Sequence, residues 1–404
     1  MQGHPDWRSA IAITCSFAIV LVVVAWGVRK SASGKQKQPK RTEVEEPEPV
    51  EETPTSVDCE DSTYNEADDE ASLNEDSISE LPDPNWVKVG QVQELYVYPL
   101  KSGRGKTIKE CDFTEFGISL EDKGRFTLKD RMFLVYNEET GRFQTGRQYP
   151  TLILVSLSAV DETKVKLEAV GMSSVIFEVP QGVDNAPEAV QCTMWWGEPV
   201  KCIDCGPEPA EWLSRFLTGT SSGLRLGCTM MNKRDLQVAW KKYTEVYKNL
   251  RNEDSGLFSD LASYMLMTTR SVDQLNEKLE RPVPALQFRP NILVSTQRPF
   301  EEDNWEWIKI GERAVIRNVK PCSRCRMVCV NPENGVMDKE EPLKTLKTFR
   351  YQTEPDRVSL EGNAPIIGIY CGLYIPGKVK LGDEVYIHSS NDSSVEINNR
   401  EATS

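Results

Sequence analysis

Two Cys-x-x-Cys pairs, Cys202-Ile-Asp-Cys205 and Cys322-Ser-Arg-Cys325, are the residues of this chain whose type and spacing could do chemistry. Read blandly they are buried thiols or halves of a zinc site. The separation of 117 between Cys205 and Cys322 excludes a compact zinc ribbon and leaves a site shared between lobes open. The second pair differs because Arg324 and Arg326 flank Cys325. Adjacent positive charge favours the thiolate, which is the metal-binding and nucleophilic form, so Cys325 is the expected reactive thiol. The only histidines, His4 and His388, stand near opposite ends of the chain. Haem ligation by histidine pairs, H-E-x-x-H zinc sites and most Ser-His or Cys-His catalytic pairs are thereby excluded. Gly105-Lys106-Thr107 looks like the end of a phosphate-binding loop, but Leu100 stands where its first glycine is required and no apolar helix follows.

The elements that must position Cys325 read mostly as short β-type runs broken by turn residues: 90–98, 132–136, 152–160, 165–170, 175–179, 264–269, 292–295, 315–319, 327–330 and 379–387. Asn137-Glu-Glu-Thr-Gly141 reads as a hairpin turn. Helix signals are few and cover 207–217, 236–250 and 271–280. The pattern predicts a mainly β fold with accessory helices, in two β-barrel-like lobes that meet near residue 206, and 404 residues are ample for two such cores.

Net charge is −14, which argues against a nucleic-acid partner. The charge is local: residues 42–85 hold 17 Asp and Glu and no Lys or Arg, leaving +3 for the other 360 residues. That composition, over 31–85, predicts a disordered acidic tether with too little apolar area to offset chain entropy. Upstream, residues 9–28 carry no charge and are strongly apolar. At about 1.5 Å per residue they span one hydrocarbon thickness, and their length exceeds the apolar core of a signal peptide. Six Lys and Arg within 29–41 follow the run and only Arg8 precedes it, which predicts a retained anchor with the bulk of the chain in the cytosol. Eleven cysteines, an odd number at irregular spacing, agree with a reducing compartment.

Seven segments in unbroken order then carry a resemblance: Val97-Tyr-Pro-Leu-Lys-Ser102, Lys129-Asp-Arg131, Thr145-Gly-Arg-Gln148, Phe288-Arg-Pro-Asn291, Pro321-Cys-Ser-Arg-Cys325, Asn331-Pro-Glu-Asn-Gly335 and Pro342-Leu-Lys-Thr-Leu-Lys347. Over about residues 88–388 the chain resembles the MOSC domain proteins, closest to the mitochondrial amidoxime-reducing components. Beyond the anchor at 9–28 and the linker at 31–85, the resemblance implies a MOSC N-terminal β-barrel-like domain at 86–206 and a MOSC domain at 207–389, which leaves a tail at 390–404. It implies a molybdenum cofactor, a phosphorylated pyranopterin dithiolene, with Cys325 as the protein ligand of the metal; soft thiolate suits such a centre. Cofactor contacts carried over residue by residue fall on Lys101, Ser102, Arg131, Ser259, Asp260, Arg289, Asn291, Ser323, Arg324 and Tyr370. Leu261 departs from the family's Thr, and Asn331 from its Asp.

In function, the resemblance implies a membrane-anchored oxidoreductase that reduces N-hydroxylated compounds such as amidoximes, hydroxylamines and N-oxides. Electrons would come from NADH through cytochrome b5 reductase and cytochrome b5, at the mitochondrial outer membrane with the endoplasmic reticulum as second choice. Two rival readings are a sulfur carrier using a Cys325 persulfide and a non-catalytic, cofactor-binding membrane adaptor.

Overall fold

The computed structural model describes residues 85–121, 124–180 and 189–388; the expected anchor, the linker up to residue 84 and the tail lie outside them. Most apolar runs become strands: β1 (Trp86–Val97), β2 (Lys106–Ile108), β3 (Glu110–Thr114), β4 (Gly117–Leu120), β5 (Leu128–Lys129), β6 (Phe133–Asn137), β7 (Ser156–Ala159), β8 (Lys164–Glu168), β9 (Val175–Glu178), β10 (Val190–Thr193), β11 (Pro199–Asp204), β12 (Leu224–Thr229), β13 (Tyr264–Thr268), β14 (Ile292–Ser295), β15 (Trp307–Ile310), β16 (Ala314–Ser323), β17 (Ile366–Ile375), β18 (Gly377–Lys380) and β19 (Glu384–His388). The expected mainly β architecture is thus observed. Among the described residues no helix is long and apolar enough to cross a membrane.

Seven strands close a barrel in the order β14-β13-β17-β16-β15-β19-β1, with β1 returning to pair with β14 and β2 continuing beyond β1. Neighbours are antiparallel except β13 and β14, whose parallel pairing needs a crossover. The helix Thr269–Asn276 supplies it, capped by the Thr268 hydroxyl, which accepts from the Ser271 amide. Alternate residues of the barrel strands turn inward, so Leu95, Val97, Leu266, Ile292, Ile308, Ile316, Ile369 and Val385 fill the interior. β1 and β2 therefore belong to the barrel built chiefly by the C-terminal half, and the sequence division at residue 206 cuts across it.

The remaining strands form a four-stranded sheet β10-β11-β12-β6, a three-stranded sheet β7-β8-β9, and β18-β3-β4-β5. The helix Pro207–Thr218 starts on Pro207 and ends at Gly219 in the left-handed conformation. It packs Trp212 and Leu213 with Val165, Leu167, Leu224 and Leu226 into a second core. The hairpin turn is present: the Asn137 carbonyl accepts from the Gly141 amide at 2.9 Å, and Gly141 has φ 63°.

Four expected elements differ. The run 152–160 is a 3-10 turn, Pro150–Leu154, followed by β7, and 327–330 is another, Arg326–Cys329. Short apolar runs have no period by which to separate strand from turn. The run 379–387 is two strands, β18 and β19, separated by a turn through Gly382. The helix expected over 236–250 breaks at Trp240 into Leu236–Ala239 and Lys241–Val246, because the Trp240 ring packs between Trp196 and Tyr243, with centroids 5.1 and 4.7 Å away. Lys106 and Thr107 lie in β2, as their dismissal as a phosphate loop requires.

Candidate active site

All eleven residues named from the sequence line one cleft of about 760 Å³. Lys101 and Ser102 come from the loop after β1, Arg131 from the turn before β6, and Ser259 and Asp260 from the segment before β13. Arg289 and Asn291 precede β14, Ser323 ends β16 with Arg324 and Cys325 beyond it, and Tyr370 lies in β17.

The backbone is bent to make this cleft. Five non-glycine residues in the described chain adopt the left-handed conformation, and three of them, Ser102 (φ 64°), Arg131 (φ 50°) and Arg289 (φ 59°), are cleft residues. Each such position costs about 1–3 kcal/mol, a strain that concentrates at functional sites. The Arg131 and Arg289 guanidinium carbons stand 4.4 and 4.3 Å from the centroid of the buried Tyr98 ring. Tyr98 is itself fixed by donating its hydroxyl to the Pro290 carbonyl at 2.8 Å. Arg131 also pairs with Asp130 and donates to Asn291 Oδ1 at 3.1 Å.

The cationic wall has one carboxylate facing it. Lys101 Nζ donates to Asp260 Oδ1 at 2.5 Å and lies over the Phe143 and Trp196 rings. Burial pushes the Lys101 ammonium down to about 8, with Asp260 opposing it. Desolvation by the cleft walls raises the Asp260 carboxyl, but Lys101 first, then Arg131 and Arg234, outweigh it and hold Asp260 below the usual range. Burial also pushes Arg289 down to about 10, which leaves it charged at neutral pH.

Two polar atoms on this wall are buried without any protein partner: Ser259 Oγ and Arg289 Nη2. A buried unsatisfied group costs about 1–3 kcal/mol, which a bound ligand or water at the group would recover. The donor set therefore fits an anionic, polar-edged group: Arg289 Nη2, Lys101 Nζ and Ser259 Oγ have hydrogen-bonding capacity left, and Cys325 offers the soft ligand.

Arg324 is different. Its guanidinium donates to the Phe288 carbonyl at 2.8 Å and to the Ile367 carbonyl at 3.0 and 2.6 Å, so it ties the Cys325 loop to neighbouring segments and presents no free fork. Asn291 is likewise engaged, accepting from Arg131 and the Met265 amide and donating to the Tyr96 carbonyl. Arg326 reaches the Met337 sulfur at 3.7 Å. The expectation that flanking arginines favour the Cys325 thiolate is accordingly corrected: burial comes first and pushes the thiol above its ordinary value, while the Met327 amide, Arg147 and Arg324 only partly offset it. Cys325 is nonetheless the one exposed thiol among nine described cysteines, all of them free.

Nowhere among the described residues do three or more Cys, His, Asp or Glu side chains converge in a way that could hold a metal, so the zinc site between lobes is not formed. Leu261 lies in an apolar cluster with Trp240, Tyr247 and Val319 and does not line the cleft. Asn331 caps its own turn by accepting from the Glu333 amide at 2.8 Å.

Family models match nearly the whole described region: the MOSC N-terminal beta barrel domain over residues 89–220 and the MOSC domain over residues 253–386. The chain belongs to the MOSC domain family. Among its relatives, mitochondrial amidoxime-reducing component 1 of Mus musculus is 34% identical over 300 residues, 74% of this chain and 83% of the relative. The Homo sapiens and Danio rerio proteins of that name are also 34% identical, over 301 and 299 residues, with 83% and 85% of their lengths covered. Within this MOSC chain, sequence reasoning missed the supports behind the cleft. Glu361, its side chain almost fully buried, accepts from Lys320 Nζ at 2.7 Å, Ser323 Oγ at 3.0 Å and Tyr247 Oη at 2.6 Å, and so anchors the end of β16, two residues before Cys325. No spacing rule links positions 247, 320, 323 and 361.

Proposed function

We propose that the cleft holds a molybdenum cofactor through Cys325 and that the protein reduces N-hydroxylated compounds such as amidoximes, hydroxylamines and N-oxides. The observation that carries this reading is the convergence on one cleft of a single exposed thiol, a cationic wall and two unsatisfied buried polar atoms. Membership of the MOSC family and relatives named amidoxime-reducing components support it. Cys325 Sγ would ligate the metal; Arg289, Lys101 and Arg131 would neutralise the anionic tail of the pterin; Ser259 and Ser102 would meet its polar edges. When bound, the group supplies the two-electron chemistry that cleaves an N–O bond.

The chain's own part is positional and protonic. Reduction of an amidoxime to an amidine and water consumes two electrons and two protons. Lys101 Nζ, pushed down to about 8 by burial, holds a proton it can pass to the leaving oxygen near neutrality, with solvent supplying the second, while Asp260 stays ionised and accepts the lysine's hydrogen bond. Arg324 keeps the loop of Cys325 fixed through its carbonyl bonds. Electrons come in this reading from NADH through cytochrome b5 reductase and cytochrome b5. The apolar segment 9–28 would tether the chain to the mitochondrial outer membrane with the cleft on the cytosolic side, raising the local concentration of those carriers.

The test is metal analysis of the purified full chain, wild type beside Cys325→Ala, coupled to NADH-driven benzamidoxime reduction with added reductase and cytochrome. Near-stoichiometric molybdenum with turnover, both lost in the variant, is expected. Molybdenum without turnover would favour the adaptor reading, a labelled persulfide on Cys325 the sulfur-carrier reading, and absence of molybdenum would end the proposal.

A further inference from the structure

We infer that the turn 145–148 and Trp195 form a substrate subsite beside the cleft, which takes the aryl end of a substrate bearing a carboxylate and so selects anionic aromatic N-hydroxylated compounds over neutral ones. The inference rests on the function proposed above for the cleft itself.

The turn is placed by contact. A side-chain carbon at Gly146 would lie 2.6 Å from Met327 Cε and 3.4 Å from Ser102 Cβ, so the turn's backbone sits directly on two residues of the cleft wall. Arg147, the next residue, is therefore at the cleft margin. Its position is preset: the Thr145 carbonyl accepts from the amides of Gln148 and Tyr149, each at 3.0 Å, and the Gln148 side-chain carbonyl accepts from the Thr145 amide at 3.2 Å and hydroxyl at 3.3 Å. A turn closed by its own hydrogen bonds loses little entropy when a ligand arrives.

Arg147 stands with its guanidinium carbon 4.7 Å from the centroid of Trp195. Among the described residues it has no carboxylate partner within ion-pair distance, whereas Arg131, Arg225, Arg234 and Arg350 each do. Trp195 is 46% exposed, an unusual position for an indole. It occupies the tip between β10 and β11, where its ring meets Trp196 edge-on at 5.2 Å, and Trp196 in turn lies 5.6 Å from Lys101 Nζ. An aromatic wall thus runs without a break from the cleft lysine to Trp195.

The space in front of Trp195 and Arg147 is a groove of about 1070 Å³, with Gln144, Gln148 and Arg142 on its sides and Glu139 on its rim. An indole face already stacked with a cation is one half of a recognition site for a flat ring carrying negative charge: the ring supplies the second stacking surface and the carboxylate the missing counter-ion. Neutral substrates would use only the stacking half.

The test uses the full chain loaded with cofactor and compares benzamidoxime with 4-carboxybenzamidoxime. The carboxylated compound is expected to have a KM on the order of tenfold lower, the worth of one charge-assisted contact at a partly exposed site. In Arg147→Gln that preference should fall to about one, and in Trp195→Ala the KM of both compounds should rise. Equal KM values in the wild type, or a preference that survives Arg147→Gln, would overturn the subsite. Calorimetric titration of the cofactor-free full chain with 4-carboxybenzamidoxime gives a readout independent of turnover. Binding that weakens with salt and is lost in Arg147→Gln supports the subsite, and identical binding by the two proteins removes it. If neither compound is reduced the functional reading falls, while the calorimetry still decides whether the groove takes an anionic ring.

Discussion

Cys202 and Cys205 share their spacing with Cys322 and Cys325, yet the two pairs live in opposite circumstances, and backbone conformation is the reason. The first pair straddles the end of β11, where residues three apart face opposite sides of the sheet. Cys202 accordingly packs with Met194 and Val200 in one apolar cluster, and Cys205 with Trp212 and Leu226 in another. Contact with Cys192 at 3.2 Å, followed by burial, pushes the Cys202 thiol far above its usual value, and burial does the same to Cys205. In the second pair the strand ends after Ser323. Cys322 stays in the core, while Cys325 begins a 3-10 turn and comes out into the cleft. The motif alone defines two thiols; whether either is available depends on where the strand stops.

The largest effect should come from exchanging sulfur for oxygen at each pair. Cys325→Ser should remove bound molybdenum and reduce turnover by at least about a thousandfold, since a hard hydroxyl replaces the soft ligand. Cys205→Ser should cost about 1–3 kcal/mol of stability through a buried hydroxyl, yet leave molybdenum per mole of folded protein unchanged. Inductively coupled plasma analysis beside urea unfolding separates the two. Loss of molybdenum from the Cys205 variant at full folding would break the comparison.

A second measurement sharpens it through pH. Only the thiolate is alkylated, and burial raises the Cys325 thiol above the ordinary range, so in the cofactor-free protein its rate with iodoacetamide should still be climbing as pH passes 9. The eight buried thiols should stay unmodified in the folded state. A rate that levels off below pH 8 would show that Arg147 and Arg324 win over burial after all. Mass mapping of the labelled peptide identifies which cysteine reacted.

That outcome bears on how far the sequence could be read. The mainly β character and most strand positions followed from alternation and turn residues, because those report local backbone preference. Closure of the barrel by β1 did not, since the pairing of Leu95 with Ile292 joins residues almost two hundred positions apart and leaves no local trace. Cys325 was named from its arginine-flanked pair and the other ten cleft residues through the family resemblance, and all eleven line one cleft. Their division of labour was not legible. Arg324 and Arg289 look alike in sequence, yet one donates to two backbone carbonyls and the other keeps a buried nitrogen without a partner. Arg147 stands inside the Thr145–Gln148 segment with no role legible there, because its meaning depends on Trp195, far along the chain.

Each pair has a carboxylate behind it, but Asp204, which takes Arg225 and Tyr136 at the first, is partly exposed, whereas the support behind the second is buried. Glu361 bonds Lys320, Ser323 and Tyr247, and the Lys320 ammonium is enclosed by the rings of Tyr243, Tyr247 and Tyr370 at 5.7, 4.9 and 5.5 Å. Glu361→Gln leaves a buried ammonium without its counter-ion and should cost about 3–5 kcal/mol in urea unfolding. The double variant Lys320→Met/Glu361→Gln should recover most of that, because no charge then remains buried. If the double variant is no better than the single, the pair's value lies in holding Ser323 and not in neutralising Lys320.

The smallest effect is expected where the first pair is crowded. Gly227 lies on β12 opposite β11, and a side-chain carbon there would stand 2.6 Å from Cys202 Sγ and 3.1 Å from its Cβ. The strand can accept alanine only by moving Cys202, and Cys202 is already against Cys192. Gly227→Ala should therefore cost about 1–3 kcal/mol by overpacking, seen as a lower Tm. The rate of Cys325 alkylation should not change, because among the described residues the cluster around Cys202 shares no member with the one that holds Val328 and Cys329 of the 3-10 turn. A slowed or accelerated Cys325 in that variant would mean that strain placed in the β10–β11 hairpin reaches the cleft, and the tip residues Trp195 and Trp196 are the route by which it would travel.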